Sequence, residues 1–180
     1  MMHEFTFFAA GLDPEADDFE DRFFEAGCDD ATLAVQNGHI VVHFEREAED
    51  RIHAVTSAFC NVLASGAFVT SFEPGYLVTG REIAERSQLS RSAVSLYKQG
   101  KRANGFPAPS QRVMSDHPLW DWAQVASWLH DQEKVGLGAV IDARVDRAVC
   151  RTVESARSVT TPDKWFMAKL SEQRSALMAA

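Results

Sequence analysis

Five polar side chains between residues 91 and 99 have the types and the spacing needed to hydrogen-bond the edges of nucleic-acid bases. An arginine guanidinium can donate two hydrogen bonds to guanine O6 and N7, and a glutamine amide can pair with adenine N6 and N7. The five residues occupy one side of a predicted helix whose other side is apolar. This face predicts contact with the major groove of double-stranded DNA, and its members are Arg91, Ser92, Ser95, Lys98 and Gln99.

Three further cations flank this segment at positions that suit phosphate contacts. Lys101 and Arg102 directly follow the predicted helix, and Arg112 lies in a stretch that we expect to form a hairpin. Phosphate contacts position a protein on DNA without specifying the base sequence. The alternative interpretation of all eight residues is a solvated, charged face on a small helical bundle.

Two short helices joined by a tight turn would hold this polar face. Thr79 and Glu82 have the spacing of a capping box, in which each side chain accepts a backbone N–H at the start of a helix. That helix is predicted to end near Ser87, and Ser90 is predicted to cap a second helix that stops at Gly100. Two helices of this length with apolar residues at the corner are typical of a helix-turn-helix.

Five stretches between residues 79 and 129 form a recognisable combination: EIAER (82–86), LSRSAV (89–94), GFPAP (105–109), PLWDW (118–122) and VASWL (125–129). Together they resemble the winged helix-turn-helix of the MerR and AlpA/excisionase superfamily. The resemblance implies a two-stranded wing after the Phe-Pro-x-Pro segment and a third helix after the Trp-rich one. Two positions depart from the family pattern, because Gln88 stands where glycine is usual and Ala123 where Ser or Asp would cap the third helix.

Three tryptophans in the same region could instead stack on the bases of a single strand. We interpret them as core residues. Trp120 and Trp122 alternate on one face of a predicted strand, and Trp128 shares a helical face with Val125 and Leu129.

Residues 1–74 have the element order β-α-β-β-α-β. Predicted strands cover residues 4–10, 32–36, 39–45 and 68–72, and the first helix is expected to begin at Asp13-Pro14. The second helix is expected over about 48–65. Asn37-Gly38 is a strong hairpin signal, since a type I′ turn needs positive φ at both positions. The buried face of this hairpin is predicted to consist of Leu33, Val35, Ile40, Val42 and Phe44.

This element order is that of a ferredoxin-like domain. The predicted fold class is therefore α+β, with an N-terminal ferredoxin-like domain, a winged helix-turn-helix and C-terminal helices. Glu73-Pro74-Gly75 breaks both helix and strand, so the predicted domains cover residues 1–74, 76–132 and 133–180.

Charge is distributed unevenly along the chain. The net charge of −8 would ordinarily argue against a nucleic-acid partner. However, residues 1–75 carry 15 Asp/Glu and 3 Lys/Arg, whereas residues 76–130 carry 4 and 7. The acidic run from Asp13 to Asp30 is explained most simply as a solvated helix face. It could also contact a basic protein partner or shield the helix-turn-helix when DNA is absent.

The C-terminal segment shows an apolar stripe over about residues 135–159 and a further helix start at Thr161-Pro162-Asp163. In the family that the chain resembles, a helix after the DNA-binding domain often forms a dimer. The resemblance therefore implies a homodimer that contacts two half-sites about one helical turn apart. The alternative is that the tail packs on its own chain. The stripe consists of Val140, Ile141, Val145, Ala148, Val149, Val153 and Ala156.

The sequence shows little sign of a catalytic site, a metal site or a membrane-spanning segment. His39, His43 and His53 lack the recurring spacing of three or four metal ligands, and no nucleophile–histidine–acid order or glycine-rich phosphate loop stands out. We therefore expect no enzyme, no cofactor and no bound metal. The N-terminal residues do not resemble a secretion signal, and no apolar run is long enough for a membrane helix, so we expect a cytoplasmic protein.

Three functions remain open at this point. The first is a sequence-specific DNA-binding transcriptional regulator. The second is an antitoxin or accessory module whose acidic N-terminal domain binds a protein partner, with an auxiliary DNA contact. The third is a small-molecule sensor, suggested by the similarity of the N-terminal element order to ACT-type ligand domains.

Overall fold

The computed structural model describes residues 1–156, which form two compact units. One unit contains Met1–Pro74 and residues 148–156, and the other contains Gly75–Arg147. The described residues are mixed α/β, with a four-stranded antiparallel sheet and six helices. The end of the predicted stripe, residues 157–159, and the predicted helix that starts at Thr161-Pro162-Asp163 lie outside the described residues.

The first unit is built on the four-stranded sheet. Its strands are β1 (Met2–Ala10), β2 (Ala31–Gln36), β3 (His39–Glu47) and β4 (Phe68–Glu73), arranged in the order β2-β3-β1-β4 with every neighbour antiparallel. Helix α1 (Phe19–Glu25) connects β1 to β2, and α2 (Arg51–Ala64) connects β3 to β4.

The core of the first unit is aromatic and uses one face of the sheet. Phe7 is fully buried, and its ring lies 5.3–6.1 Å from the rings of Phe5, Phe44, Phe59 and Phe72. Tilted and edge-to-face rings at this spacing add to the free energy gained by burying apolar area. Alternate residues of β1 and β3 supply this face, as the period of two in a strand requires.

The predicted hairpin is confirmed, but its buried face is smaller than predicted. Asn37 has φ 52° and Gly38 has φ 77°, as a type I′ turn requires. The predicted burial is confirmed for the three residues on β3. On β2, Leu33 is half-buried and Val35 is 53% exposed, because β2 is an edge strand and the seven-residue α1 covers little of it.

Both helices of the first unit begin later than predicted. Asp13 does not cap α1, because its carboxylate accepts the N–H of Glu15 and forms a local turn instead. Helix α1 starts only at Phe19. Helix α2 starts at Arg51 because the side chain of Asp50 accepts the N–H of His53, which makes Asp50 the cap.

The second unit contains a helical core beside a very short sheet. Its elements are β5 (Leu77–Val78), α3 (Gly80–Ser87), α4 (Arg91–Lys98), β6 (Trp120–Asp121), α5 (Trp122–Asp131) and the first part of α6 (Leu137–Ala156). Strands β5 and β6 are antiparallel, and an isolated antiparallel bridge joins Gln111 to Leu119. Ile83, Val125 and Leu129 are fully buried at the centre of the core.

The tryptophans are part of this core, as predicted. Trp120 is 3% exposed and Trp122 is 6% exposed, although Trp122 begins α5 instead of continuing a strand. Trp128 is partly buried, and its indole N–H donates a hydrogen bond to the carbonyl of Asn104.

The apolar stripe of α6 is largely buried within its own chain. Val140, Val145, Val149 and Val153 are all buried, whereas Ile141 is 43% exposed. Within the described residues the buried part of this stripe therefore packs on its own chain. None of the helices in residues 1–156 has both the length and the apolar character that crossing a bilayer requires.

Candidate nucleic-acid interface

Helix α3 begins with the capping box that the sequence predicts. The Thr79 hydroxyl accepts the Glu82 N–H at 3.2 Å, and the Glu82 carboxylate accepts the Thr79 N–H at 2.6 Å. Burial raises the pKa of Glu82, but the hydrogen bonds from Thr79 and the nearby charges of Arg86 and Arg81 outweigh it and hold the pKa below its usual value. The box therefore contains an ionised glutamate at neutral pH.

We expect Thr79→Ala to lower the free energy of unfolding by about 1 kcal/mol, because one N–H at the start of α3 loses its acceptor. Urea unfolding measures this loss. Ser92→Ala is the matched control, since Ser92 lies exposed in the first turn of α4 and does not accept a backbone N–H there, although its hydroxyl lies 3.0 Å from the capping Ser90 hydroxyl. Equal losses for the two variants would contradict the role of the box.

The stabilisation that Glu82 gives to the capping box is lost on acidification. Because the pKa of Glu82 is lowered on folding, its contribution is fully present above the unfolded pKa near 4.5 and disappears as the pH falls through the folded value. The difference in unfolding free energy between the natural chain and Glu82→Gln should therefore narrow on acidification below about pH 4.5.

The turn between α3 and α4 is tight despite the absence of glycine. Gln88 takes the left-handed conformation with φ 56°, and its N–H reaches the carbonyls of Ala84 and Glu85. Glutamine thus does what glycine usually does at this position, at a cost in backbone strain. The Ser90 hydroxyl then accepts the Ala93 N–H at 3.1 Å and caps α4 as predicted.

The cap of α5 is Asp121, so the absence of a capping side chain at Ala123 has no consequence. One oxygen of Asp121 accepts the N–H groups of Ala123 (2.9 Å) and Gln124 (3.4 Å). The other oxygen pairs with Arg147 at 3.1 Å. Capping begins two residues earlier than the family pattern implies, because β6 ends at Asp121 and α5 follows it immediately.

Helix α4 has one buried face and one polar, exposed face. Ala93, Val94 and Tyr97 are at most 5% exposed and attach the helix to the core. All five polar residues that the sequence assigns to the outer side are exposed, namely Arg91, Ser92, Ser95, Lys98 and Gln99.

An open cleft of about 450 Å³ brings three of these five residues together. Arg91, Ser95 and Lys98 line it with the start of α3 on one side and residues 116–118 on the other. The Lys98 ammonium lies 4.4 Å from the centroid of the Trp120 ring, a cation–π distance that holds the charge in the cleft. Asp116 contributes the cleft's carboxylate.

The other predicted site residues do not line this cleft. Gln99 donates a hydrogen bond to the Ser95 hydroxyl (3.1 Å), and the guanidinium of Arg102 lies 5.3 Å from the Tyr97 ring. Lys101 is exposed just after α4. Arg112 lies in the loop between the bridged residues 111 and 119, in a left-handed conformation with φ 50°.

Most of the cations at this surface form no ion pair with a carboxylate in the part of the chain that the structure describes. Arg81 pairs with Glu85 at 2.7 Å, and Arg86 donates a hydrogen bond to the carbonyl of Gly75. By contrast, no carboxylate within residues 1–156 forms an ion pair with the five other cations of this region, which are Arg91, Lys98, Lys101, Arg102 and Arg112.

Three apolar residues at the same surface were missed by the sequence interpretation. Leu96 is 40% exposed on α4, and Val113 and Met114 are 59% and 99% exposed in the 111–119 loop. Leu96 follows Ser92 by four positions and precedes Gln99 by three, so helical spacing alone could have placed it on the outer side. A search restricted to polar residues overlooks it. An exposed leucine can contact a thymine methyl group.

Metal and thiol chemistry receive no support from the described residues. No three His, Cys, Asp or Glu side chains in residues 1–156 are grouped closely enough to hold an ion. His43 forms a hydrogen bond with Thr6 (2.9 Å). Burial raises the pKa of the Cys28 thiol to about 11, so this thiol is protonated at neutral pH.

Comparisons with protein-family models, with curated proteins and with solved structures find no match to this chain. Its function must therefore be inferred from the residues and geometry of the chain itself.

Proposed function

We propose that this chain is a transcriptional regulator that binds double-stranded DNA in a sequence-specific manner through α4. The observation that carries the proposal is the face of α4, where exposed hydrogen-bonding side chains stand beside unneutralised cations and above a buried apolar face. A solvated helix face of an ordinary bundle usually mixes both signs of charge, whereas Arg91–Lys98 contains no acidic residue. Such a role requires the compartment that holds DNA, and we propose that the chain acts in the cytoplasm.

The dimensions of α4 suit this proposal. A helix with its side chains is about 10–12 Å across, which fits the major groove of about 12 Å, and the eight residues of α4 are about 12 Å long. In a helix-turn-helix the second helix enters the groove while the first crosses the backbone. Arg91 and Gln99 then face base edges, and Lys98, Lys101 and Arg102 face phosphates.

We also propose that the first unit has a ferredoxin-like fold and that the second unit contains a winged helix-turn-helix. The strand order β2-β3-β1-β4, with α1 and α2 as the connections, supports a ferredoxin-like first unit. The bridge between Gln111 and Leu119 supports a short wing that carries Arg112 and Met114. In this arrangement the wing flanks the cleft beside α4, where its side chains can meet the DNA backbone.

Selection from a pool of random duplex DNA tests the proposal. We expect one sequence motif to be enriched, and we expect the affinity for it to fall steeply with salt. About four phosphate contacts predict a slope of roughly −3 to −4 in log K against log salt. Enrichment of an inverted repeat with half-sites about one helical turn apart would indicate a homodimer, and a single half-site would indicate a monomer. Equal affinity for selected and random duplexes would contradict sequence-specific binding.

A further inference from the structure

The outer edge of β2 has the properties of a strand that accepts another strand. β2 lies at one end of the sheet, and within residues 1–156 no strand pairs with its outer edge. The Glu45 N–H donates to the Asp30 carbonyl, and hydrogen-bonded pairs alternate along an antiparallel ladder. From this register, the backbone N–H and C=O groups of Leu33 and Val35 point away from β3.

This edge lacks the features that usually protect a sheet from further pairing. β2 has the sequence ATLAVQ, with no charge, no proline and no irregularity in its register with β3. The opposite edge differs, because the pairing of β4 with β1 contains a register shift between Phe8 and Ala9, and β4 ends at Glu73 before a proline. The outer edge of β2 therefore lacks the protecting features that the β4 edge of the same sheet has.

An acidic cleft with apolar walls lies directly beside this edge. Its volume is about 320 Å³, and its lining includes Phe24 on α1 and Leu33 on β2. Phe24 in this cleft is 67% exposed, and Val35, two positions after Leu33 on β2, is 53% exposed. Within the described part of the chain no cation pairs with the three acidic residues of this cleft, which are Glu20, Asp21 and Asp29.

We propose that β2 binds an extended segment of a partner protein as an added antiparallel or parallel strand, and that this segment is basic with an apolar anchor. A strand beside β2 would lie about 4.8 Å away, and every second side chain would face α1. An apolar side chain in the middle would contact Phe24 and Leu33. Lysine or arginine two positions to either side would then meet the carboxylates of Glu20, Asp21 and Asp29.

Charge argues for a basic partner over a second copy of this chain. If two β2 strands paired about a two-fold axis, their α1 helices would approach each other, and each carries Glu20, Asp21 and Glu25. Residues 1–75 as a whole carry 15 acidic and 3 basic residues, so self-pairing would bring like charges together. This surface belongs to the first unit and is independent of the proposed DNA-binding residues.

Blocked synthetic peptides provide the test on the full-length chain. The probe alternates lysine, valine and lysine on one face with threonine between them, and NMR follows the backbone amides. We expect the amides of Leu33 and Val35 and those of α1 to shift. N-methylation of the peptide on the edge facing β2 should weaken binding about tenfold, while N-methylation on the other edge should change it less than twofold.

Two variants of the chain separate strand addition from charge attraction. Val35→Pro removes an outward N–H and should weaken binding about tenfold, whereas Val35→Thr keeps that N–H and should bind like the natural chain. Replacing Glu20 and Asp21 by lysine should weaken binding several-fold at low salt. Val35→Pro should leave DNA affinity unchanged, so a failure here is distinguishable from a failure of the proposed function.

Three outcomes would overturn the proposal. Equal effects of the two N-methylated peptides would show that only charge is recognised. Dimerisation of the chain that Val35→Pro abolishes would identify a second copy as the occupant. Protection of the Leu33 and Val35 amides in the chain alone as a monomer would mean that its own residues after 156 occupy the edge.

Discussion

Replacing Arg91 and Lys98 together by alanine should lower the affinity for the selected duplex by about 100-fold. A bidentate arginine–guanine contact contributes about 1–3 kcal/mol to the binding free energy. Loss of a lysine–phosphate contact weakens binding further. Both side chains are exposed and line the same cleft, and neither pairs with a carboxylate in the described residues. Gel-shift titration at fixed salt measures the loss.

The same double variant should fold normally. Within the chain it removes chiefly the interaction of the exposed Lys98 with the buried Trp120, and a cation–π pair whose cation stays in water contributes only about 0.5–1 kcal/mol. Lys134→Ala is the matched control, because it removes one exposed cation from the same unit outside the cleft. We expect it to change DNA affinity less than twofold. A double variant that unfolds would show that these residues are structural, and one that keeps full DNA affinity would remove α4 from the interface.

The two single variants should behave differently, which distinguishes base contacts from phosphate contacts. Arg91→Ala should relax the base preference at one position of the selected site. Lys98→Ala should weaken binding to all duplexes equally and reduce the salt slope by about 1. If both variants only changed the salt slope, α4 would bind the backbone and the source of specificity would lie elsewhere.

Features that depend on neighbouring residues could be predicted from the sequence. The Asn37-Gly38 turn, the Thr79–Glu82 capping box and the Ser90 cap are each decided within four residues, and all three occur as predicted. The outward position of the polar residues of α4 also follows from helical period alone. For the same reason the burial of Ala93 and Val94 could be predicted.

Features that depend on the three-dimensional arrangement could not be predicted in this way. Val35 fits the alternating pattern of a buried strand, but β2 is at the edge and α1 is too short to cover it. The cleft that groups Arg91 and Lys98 with residues 116–118 joins segments about twenty positions apart. The start of α1 was missed because the same Asp-Pro pair can begin a helix or a turn, and tertiary packing of Phe19 decides where the helix starts.

Replacing Arg46 by alanine should lower the free energy of unfolding by about 3 kcal/mol, because it removes one partner of a buried ion pair. Arg46 is 8% exposed, and its guanidinium donates two hydrogen bonds of 2.7 Å to the carboxylate of Asp30. It also donates to the carbonyl of Gly27 (2.9 Å) and to Asn61 (2.7 Å) and Ser57 (3.1 Å) on α2.

This single side chain therefore connects β3 to α2 and to the residues that follow α1. Alanine would leave a partly buried carbonyl and a partly buried carboxylate without their donor, which costs more than the hydrogen bonds contributed. The expected loss is at the low end of the 3–5 kcal/mol range, since the Asp30 side chain is 29% exposed and water can partly replace the guanidinium. Urea unfolding followed by near-ultraviolet circular dichroism measures it.

Arg22→Ala is the control, because the Arg22–Asp18 ion pair has the same length as the Arg46–Asp30 pair but is exposed. Arg22 and Asp18 are also 2.7 Å apart, but their side chains are 48% and 56% exposed, so this variant should lose less than about 0.5 kcal/mol. Arg46→Lys keeps the charge but not the planar fork and should fall between the two. Equal losses for Arg46→Ala and Arg22→Ala would mean that the buried network contributes no more than a surface ion pair. The position of α1 beside β2 would then depend on the apolar contacts of Phe19 and Phe23 alone.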